Sequence, residues 1–204
     1  MATYLDLRTR IIAETSRDDL VDTLAAQLKV HIAQAIEHHG GKRFWFNEGI
    51  VTGVCVVGNQ YATKPATMRV IDRVTVTVGG ATRPLTPRPL VYIDDLSAIA
   101  SSGQPSDYAE TGNQIRMWPT PNLAYPLGFI GIVNLSALTA DGDTNAWTNE
   151  GYDLITARAK FTLFRDQFRD ADGAQLAQSA EADALTKLRG ETARRMSTGV
   201  RAYG

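Results

Sequence analysis

Residues 69–78 read RVIDRVTVTV, and the alternation within them decides the fold class. Val70, Val74, Val76 and Val78 are apolar, while Arg73, Thr75 and Thr77 stand between them. Successive side chains on a strand point to opposite faces of its sheet, so this pattern buries one face and wets the other. The stretches Ile50–Val57, Ala66–Val78 and Ile115–Trp118 share its richness in Val, Ile and Thr, residues that suit a pleated, half-buried surface. Gly58-Asn59 and Gly79-Gly80 read as hairpin turns, and a further hairpin is predicted around Gly112-Asn113, between Tyr108–Thr111 and Gln114–Trp118. Pro84, Pro87 and Pro89 close the third strand and enforce an extended link. A brief helix is expected at Tyr92–Ile99, and Leu127–Leu138 supplies a long final strand. Residues 47–138 thus form a small antiparallel β module.

The period changes on either side. Leu5, Leu7, Ile11 and Ile12 give a short amphipathic helix ending near Ser16, and Ser16 with Asp19 has the S-x-x-D form of a new helix start. Val21, Leu24, Leu28, Ala35 and His38, widened by Ile32 and Ile36, mark one buried helical face, which Gly40-Gly41 ends through a positive φ. After the β module, Leu154, Ala157, Phe161, Phe164 and Phe168 step by three and four. Polar Asp170–Gly173 turns the chain into a second helix over Gln175–Arg195, with Leu176, Leu185, Leu188 and Met196 as its apolar positions. Residues 197–204 read as a flexible tail. The expectation is an α+β fold in one domain, 1–204. Terminal helices (1–46 and 139–196) pack as a small bundle with the β module between them in sequence.

With 44% hydrophobic residues the 204-residue chain has material for a real core. Lys plus Arg number 21 against 22 Asp plus Glu, a net of −1, which disfavours a dedicated nucleic-acid binder. The charge is unevenly spread. Residues 94–153 hold 8 acids and the single base Arg116, whereas the flanking segments are each mildly basic. That pattern suits either a solvated acidic loop region or charged surfaces that meet other surfaces. Cys55 stands alone, so no internal disulfide and no cysteine-rich zinc module can form. Met1–Leu20 lacks the apolar block of a signal peptide, and no run approaches the length of a transmembrane helix.

No catalytic signature is present: no phosphate-binding loop, no dinucleotide fingerprint, no H-E-x-x-H and no G-x-S-x-G. His31, His38 and His39 fall in one helix without a Cys or a suitably spaced carboxylate to complete a metal site, so a structural role is expected. Cys55 among valines reads as a buried, inert thiol. Asp141-Gly142-Asp143 followed by Asn145 has the start of a calcium loop, but its glycine is misplaced and position 152 is Tyr instead of the closing Glu. Asp94, Asp95, Asp107 and Glu110 are the carboxylates from which a hydrolase pair would have to be drawn. Phe44-Trp45-Phe46 beside Lys42-Arg43 would stack on bases if exposed, but their place between helix and strand favours a hydrophobic junction. No enzyme, cofactor or metal is expected.

Four phrases, in order along the chain, resemble bacteriophage head-to-tail adaptor proteins, also called head–tail connectors. They are LDLRTRIIAETSRDD (Leu5–Asp19), RFWFNEG (Arg43–Gly49), YAETGNQIRMWPTPN (Tyr108–Asn122) and NAWTNEGYDLITARAKF (Asn145–Phe161). The family's proline-led start to the last of these is replaced by Gly151-Tyr152. The resemblance implies a structural virion protein at the head–tail neck, made in the bacterial host cytoplasm, with no membrane contact. It implies a ring of about twelve copies below the portal protein. That ring would extend the channel for genomic DNA without sequence-specific binding, and it would dock tail or nozzle proteins. On this footing Lys187, Arg189, Arg194, Arg195, Arg201 and Tyr203 are expected to bind the portal. Arg158, Arg165 and Arg169, assigned to the helix face opposite Phe161, Phe164 and Phe168, are expected between subunits. The alternatives are a carbohydrate- or nucleic-acid-binding module and, behind it, a carbohydrate-active hydrolase.

Overall fold

The computed structural model describes residues 1–16 and 24–197, and the chain divides into two compact units. Residues 1–47 and 135–204 make a helical unit, and residues 48–134 make a β unit. The architecture is α+β.

In the β unit, β1 (Glu48–Val54), β3 (Met68–Val78), β4 (Ala81–Pro84) and β10 (Pro126–Val133) form one antiparallel sheet in the order β1-β10-β3-β4. A second sheet has the order β2-β8-β7-β5, from β2 (Tyr61–Thr63), β5 (Thr86–Pro87), β7 (Asp107–Thr111) and β8 (Gln114–Trp118). The module is not wholly antiparallel: β5 runs parallel to β7, and the short β6 (Ser102–Gly103) runs parallel to β9 (Thr120–Pro121). Helix α3 spans Leu90–Ser97. Val74, Val76, Ile115, Met117 and Phe129 are fully buried between these elements, with Phe129 opposite Val74 and Leu127 opposite Val76.

The alternation of residues 69–78 holds only in part. Ile130 pairs with Arg73 and Gly131 with Ile71, so Asp72 is an extra residue; Arg69 is likewise skipped between Val70 and Met68. These bulges change the phase of β3, which leaves Val70 exposed although Val74 and Val76 are sealed. Gly131 permits the first bulge, because a Cβ there would collide with the Val70 carbonyl. Thr75 is buried too, where its hydroxyl donates to the Gly128 carbonyl at 3.3 Å. Gly79 and Gly80, at φ +56° and +80°, make the tight β3–β4 hairpin. The Gly58-Asn59 turn differs from its expected role: it joins β1 to β2, which belong to different sheets.

The helical unit contains α1 (Tyr4–Thr15), α2 (Ala25–Gly40), α4 (Ala146–Asn149), α5 (Tyr152–Thr162), a π-helical turn (Leu163–Phe168) and α6 (Ala171–Ser197). Thr3 starts α1 with a capping box closed by Asp6. Ser16 is instead the left-handed residue that ends it, and Asp19 and Val21 lie outside the described residues. Gly41 follows α2 at φ −82°, so its glycine serves no positive φ. The strand expected to reach Leu138 stops at Val133, and Leu135 and Leu138 pack against the helical core. That core joins Leu7, Ile11, Leu28, Ile32, Leu154 and Leu163 around Trp147. Phe44 and Phe46 meet the Trp147 ring edge-on at 5.8 and 5.0 Å. Gly151 lies against the same indole, where a Cβ would come within 2.6 Å of it, which accounts for the glycine at this helix start.

The inward faces of α5 and α6 also differ from expectation. Ile155, Ala159 and Leu163 are sealed beside Leu154, while Phe161, Phe164 and Phe168 are only half-buried. On α6 the buried stripe is Ala174, Ala177, Glu181, Leu188 and Thr192, and Leu176 and Met196 are exposed. Small and polar residues line this face because α5 packs closely along it.

Candidate interaction surfaces

Glu181 is the polar centre of the helical unit. It is 9% exposed on α6 and is approached by the end of α2 and by α5. Arg158 Nη1 lies 3.4 Å from its Oε2, while His39 Nε2 lies 3.0 Å and His38 Nε2 4.0 Å from its Oε1. The two histidines and Glu181 are grouped closely enough to suggest a metal site, with the carboxylate supplied by tertiary structure. The outer ring nitrogens argue against it. Lys42 Nζ sits 3.0 Å from His39 Nδ1, and Arg158 Nη2 sits 3.4 Å from His38 Nδ1. Cationic donors there make each Nδ1 an acceptor, which leaves the proton on Nε2, the atom a metal would need bare. Lys42 and Arg158 already outweigh the one carboxylate, so a divalent ion would add charge to a buried site with a positive excess. The donor set suits a carboxylate held by Arg158 beside two neutral imidazoles, with His39 Nε2 close to it but making no hydrogen bond. Burial first, then Lys42, His38, Arg158 and Arg189, hold His39 down to about 3. His31, packed elsewhere on α2 with Nδ1 3.0 Å from Thr162 Oγ1, is also lowered, chiefly by burial.

The basic residues of α6 are accessible. Lys187, Arg189, Arg194 and Arg195 are exposed, and the Arg195 guanidinium lies over the Trp45 ring at 4.3 Å. Arg201 and Tyr203 lie outside the described residues. Arg158 and Arg165 do not lie opposite the phenylalanines: their guanidinium carbons sit 5.0 and 5.1 Å from the Phe161 centroid. Steps of three and four residues put 158, 161 and 165 on one helical face. Arg169 is exposed at φ +53° and ends the π-helical turn.

Three carboxylates of the β unit are each matched to a separate cation, while Asp95 is exposed on α3. Asp94 pairs with Arg116, Asp107 with Arg88 at 2.9 Å and Glu110 with Lys64 at 2.6 Å. Each is neutralised by its own base, whereas glycoside hydrolysis needs two carboxylates set against one scissile bond. In the helical unit Asp141 pairs with Arg8 at 2.6 Å and Asp153 with Arg10 at 2.7 Å. The acidic run of the sequence is therefore largely neutralised by distant bases. Asp143 accepts from the Thr139 and Ala140 backbone N–H groups at 2.7 Å each, which lowers its pKa and closes its own loop. Phe44 is sealed, and half-buried Trp45 has the Arg195 guanidinium over its ring and Phe46 edge-on to it. Cys55 is 1% exposed, and its Sγ accepts from the Tyr125 N–H at 3.2 Å.

Sequence reasoning missed a cross-helix network on the other side of α5. Arg10 bonds both Glu14 at 2.6 Å and Asp153, and Lys160 reaches Glu14 at 2.5 Å. Only the Arg10–Glu14 step of four was legible beforehand.

The sequence model of the family described as SU10 adaptor protein matches residues 2–202. The chain belongs to this family. No curated protein matches it. Membership makes the adaptor a structural phage component of the virion neck that meets portal and tail components. Among the described residues, no helix of the adaptor is long and apolar enough to cross a membrane.

Proposed function

We propose that this adaptor assembles as a ring of about twelve copies between portal and tail. The ring extends the DNA channel, docks tail or nozzle proteins and carries out no reaction. The observation behind this reading is the family match over residues 2–202. The dispersal of Asp94, Asp107 and Glu110 onto separate cations supports a non-catalytic part. A channel wall must also release DNA, and avoiding a continuous set of Lys/Arg phosphate contacts serves that end.

The portal-binding element runs from Lys187 onward. It presents Lys187, Arg189, Arg194 and Arg195 on α6, followed by Arg201 and Tyr203 in sequence. Arg194 and Arg195 also complement the C-terminal end of the α6 dipole. Arginines pair with carboxylates through two parallel hydrogen bonds, and repetition around a ring multiplies a weak single contact. Arg165 and Arg169 face a neighbouring copy, while Arg158 is committed to Glu181 within its own subunit. Deleting residues 197–204 tests the portal contact. The shortened adaptor should keep its circular dichroism and solubility and lose retention on immobilised portal rings. Wild-type retention would refute the assignment. A vertex reconstruction with one or two copies of the adaptor would refute the ring.

A further inference from the structure

The two larger sheets of the β unit end in four edge strands, and these are not built alike. An edge strand is guarded against pairing with other chains when it is short or carries Pro, Lys or another charge. β4 is four residues long, carries Arg83 and ends at Pro84. β5 is two residues long and contains Pro87, and β2 is three residues long and runs into Lys64. β1 has none of these guards. It runs for seven residues in unbroken register with β10, and residues 49–57 contain neither a proline nor a charge. Among the described residues the backbone of 49–54 hydrogen-bonds to no element other than β10.

The solvent face of this edge is aliphatic. Ile50 and Val54 are 68% and 62% exposed, and their partners on β10, Ile130 and Pro126, flank them. Past the strand, Val56 and Val57 run beside Leu123, because the Cys55 N–H donates to the Tyr125 carbonyl and the Gly58 N–H to that of Pro121. These three side chains are also more than half exposed. Together the five present on the order of 500 Å² of apolar surface, near the most that a monomer leaves bare. A standard interface removes about 800 Å² from each partner, a little over half of it apolar. The patch is of the size that one such interface covers.

We propose that β1 receives an extended segment of a tail component, which adds to the sheet as a fifth strand. Main-chain hydrogen bonds along Gly49–Val54 supply the affinity, and side chains at alternate positions of the incoming strand supply the specificity. Beside Ile50 and Val54 that strand carries Val, Ile, Leu or an aromatic residue, since cross-strand pairs of this kind stabilise a sheet. A second copy is the poorer occupant. Its other edges are guarded, and β1 against β1 is a two-fold contact that does not continue around a ring. DNA, or the portal carboxylates given to the arginines, would need cations, and residues 49–57 and 122–126 hold none. This docking rests on the ring reading above, whose tail contact it specifies.

Two measurements on complexes of portal and full-length adaptor, mixed with purified tails of the same phage, test it. Hydrogen exchange follows the wild-type amides of residues 49–54. Those pointing out of the sheet edge should exchange about tenfold more slowly, or slower still, once tails join, because they gain partners. Ile50→Lys with Val54→Lys then puts the missing guard on an exposed face. Its thermal melt and its copies per portal should match wild type, while the tail-bearing fraction, counted by electron microscopy, should fall about tenfold or more. Unchanged exchange on tail joining overturns the strand addition, whether or not the lysine variant folds. Wild-type tail attachment by the folded lysine variant overturns it too. Fewer copies per portal in that variant would give β1 to a second copy or to the portal, which overturns the proposal and leaves the ring intact. Wild-type adaptor that forms no ring on portals overturns the ring reading itself.

Discussion

His39 gives the adaptor a stability that depends on pH in a calculable way. The side chain is fully buried, and its folded pKa is lowered from 6.5 to about 3, chiefly by burial and next by Lys42. Above about pH 6.5 neither the folded nor the unfolded chain protonates it, so the full stability is present. As pH falls below that value the unfolded chain takes up the proton and the folded chain does not, so stability declines until the folded value is reached. Between about pH 7 and pH 5 this linkage removes about 2 kcal/mol through His39 alone. The lowered carboxylates Asp6, Glu14, Asp143 and Asp166 lose their contribution at lower pH, outside that range. His31 and His38 are lowered as well and add to the slope in the same sense. The perturbation is His39→Gln, whose amide can still accept from Lys42 and donate toward Glu181. Urea unfolding followed by tryptophan fluorescence, with Trp118 of the β unit replaced by Phe so that Trp45 and Trp147 of this unit report, gives the free energy at each pH. The variant's loss between the two pH values should be smaller than wild type's by about 2 kcal/mol, whatever its absolute stability. Parallel profiles would show that His39 is hydrated or protonated in the folded state and would refute the reasoning.

Other changes test separate parts of the structure. Glu181→Leu strands Arg158 beside two imidazoles and should cost about 3 kcal/mol, more than Glu181→Gln, in the same urea assay. Gly151→Ala sets a methyl within 2.6 Å of the Trp147 ring and should lower the melting temperature measurably; an unchanged melt would mean that the indole is not seated there. Gly131→Ala collides with the Val70 backbone, and soluble protein of normal stability would show that β3 does not bulge over β10. Single amide replacements of Asp94, Asp107 and Glu110 should leave portal assembly intact. Hydrolysis of a polysaccharide or nucleic acid that vanished with one of them in a folded variant would overturn the non-catalytic reading.

Much of the secondary structure was legible because it is set by short-range chemistry. The period of three and four over Leu5–Ile12, the Gly79-Gly80 pair and the strands around Gly112-Asn113 each follow from neighbouring backbone and side-chain sterics. The family phrases were legible for a related reason, since motifs such as NAWTNEG contain their own cap: Asn145 accepts from the Trp147 and Thr148 N–H groups. What the periodicity of a segment leaves open is which of its faces will find a partner. Phe161 and Phe164 are as apolar as any core residue, yet Ile155 and Ala159 are sealed, because α6 and α2 approach α5 from that side. Val70 obeys the alternation and is exposed, because the bulge at Asp72, opposite Ile130 and Gly131, changes the phase.

The charged residues show the same division more sharply. Sequence determined that residues 94–153 are acidic; it did not determine that the molecule has an acidic surface there. Arg8, Arg10, Lys64, Arg88 and Arg116 are brought to five of those carboxylates by the fold. Tertiary structure likewise carries Glu181 to His39 and, among the described residues, leaves Asp183 and Glu191 without an ion pair. Coulomb attraction depends on distance in space and on exclusion of water, and neither quantity is written along the chain. Local sterics settled the elements of this protein, while long-range packing decided which of its charges are paired within the fold and which stay exposed.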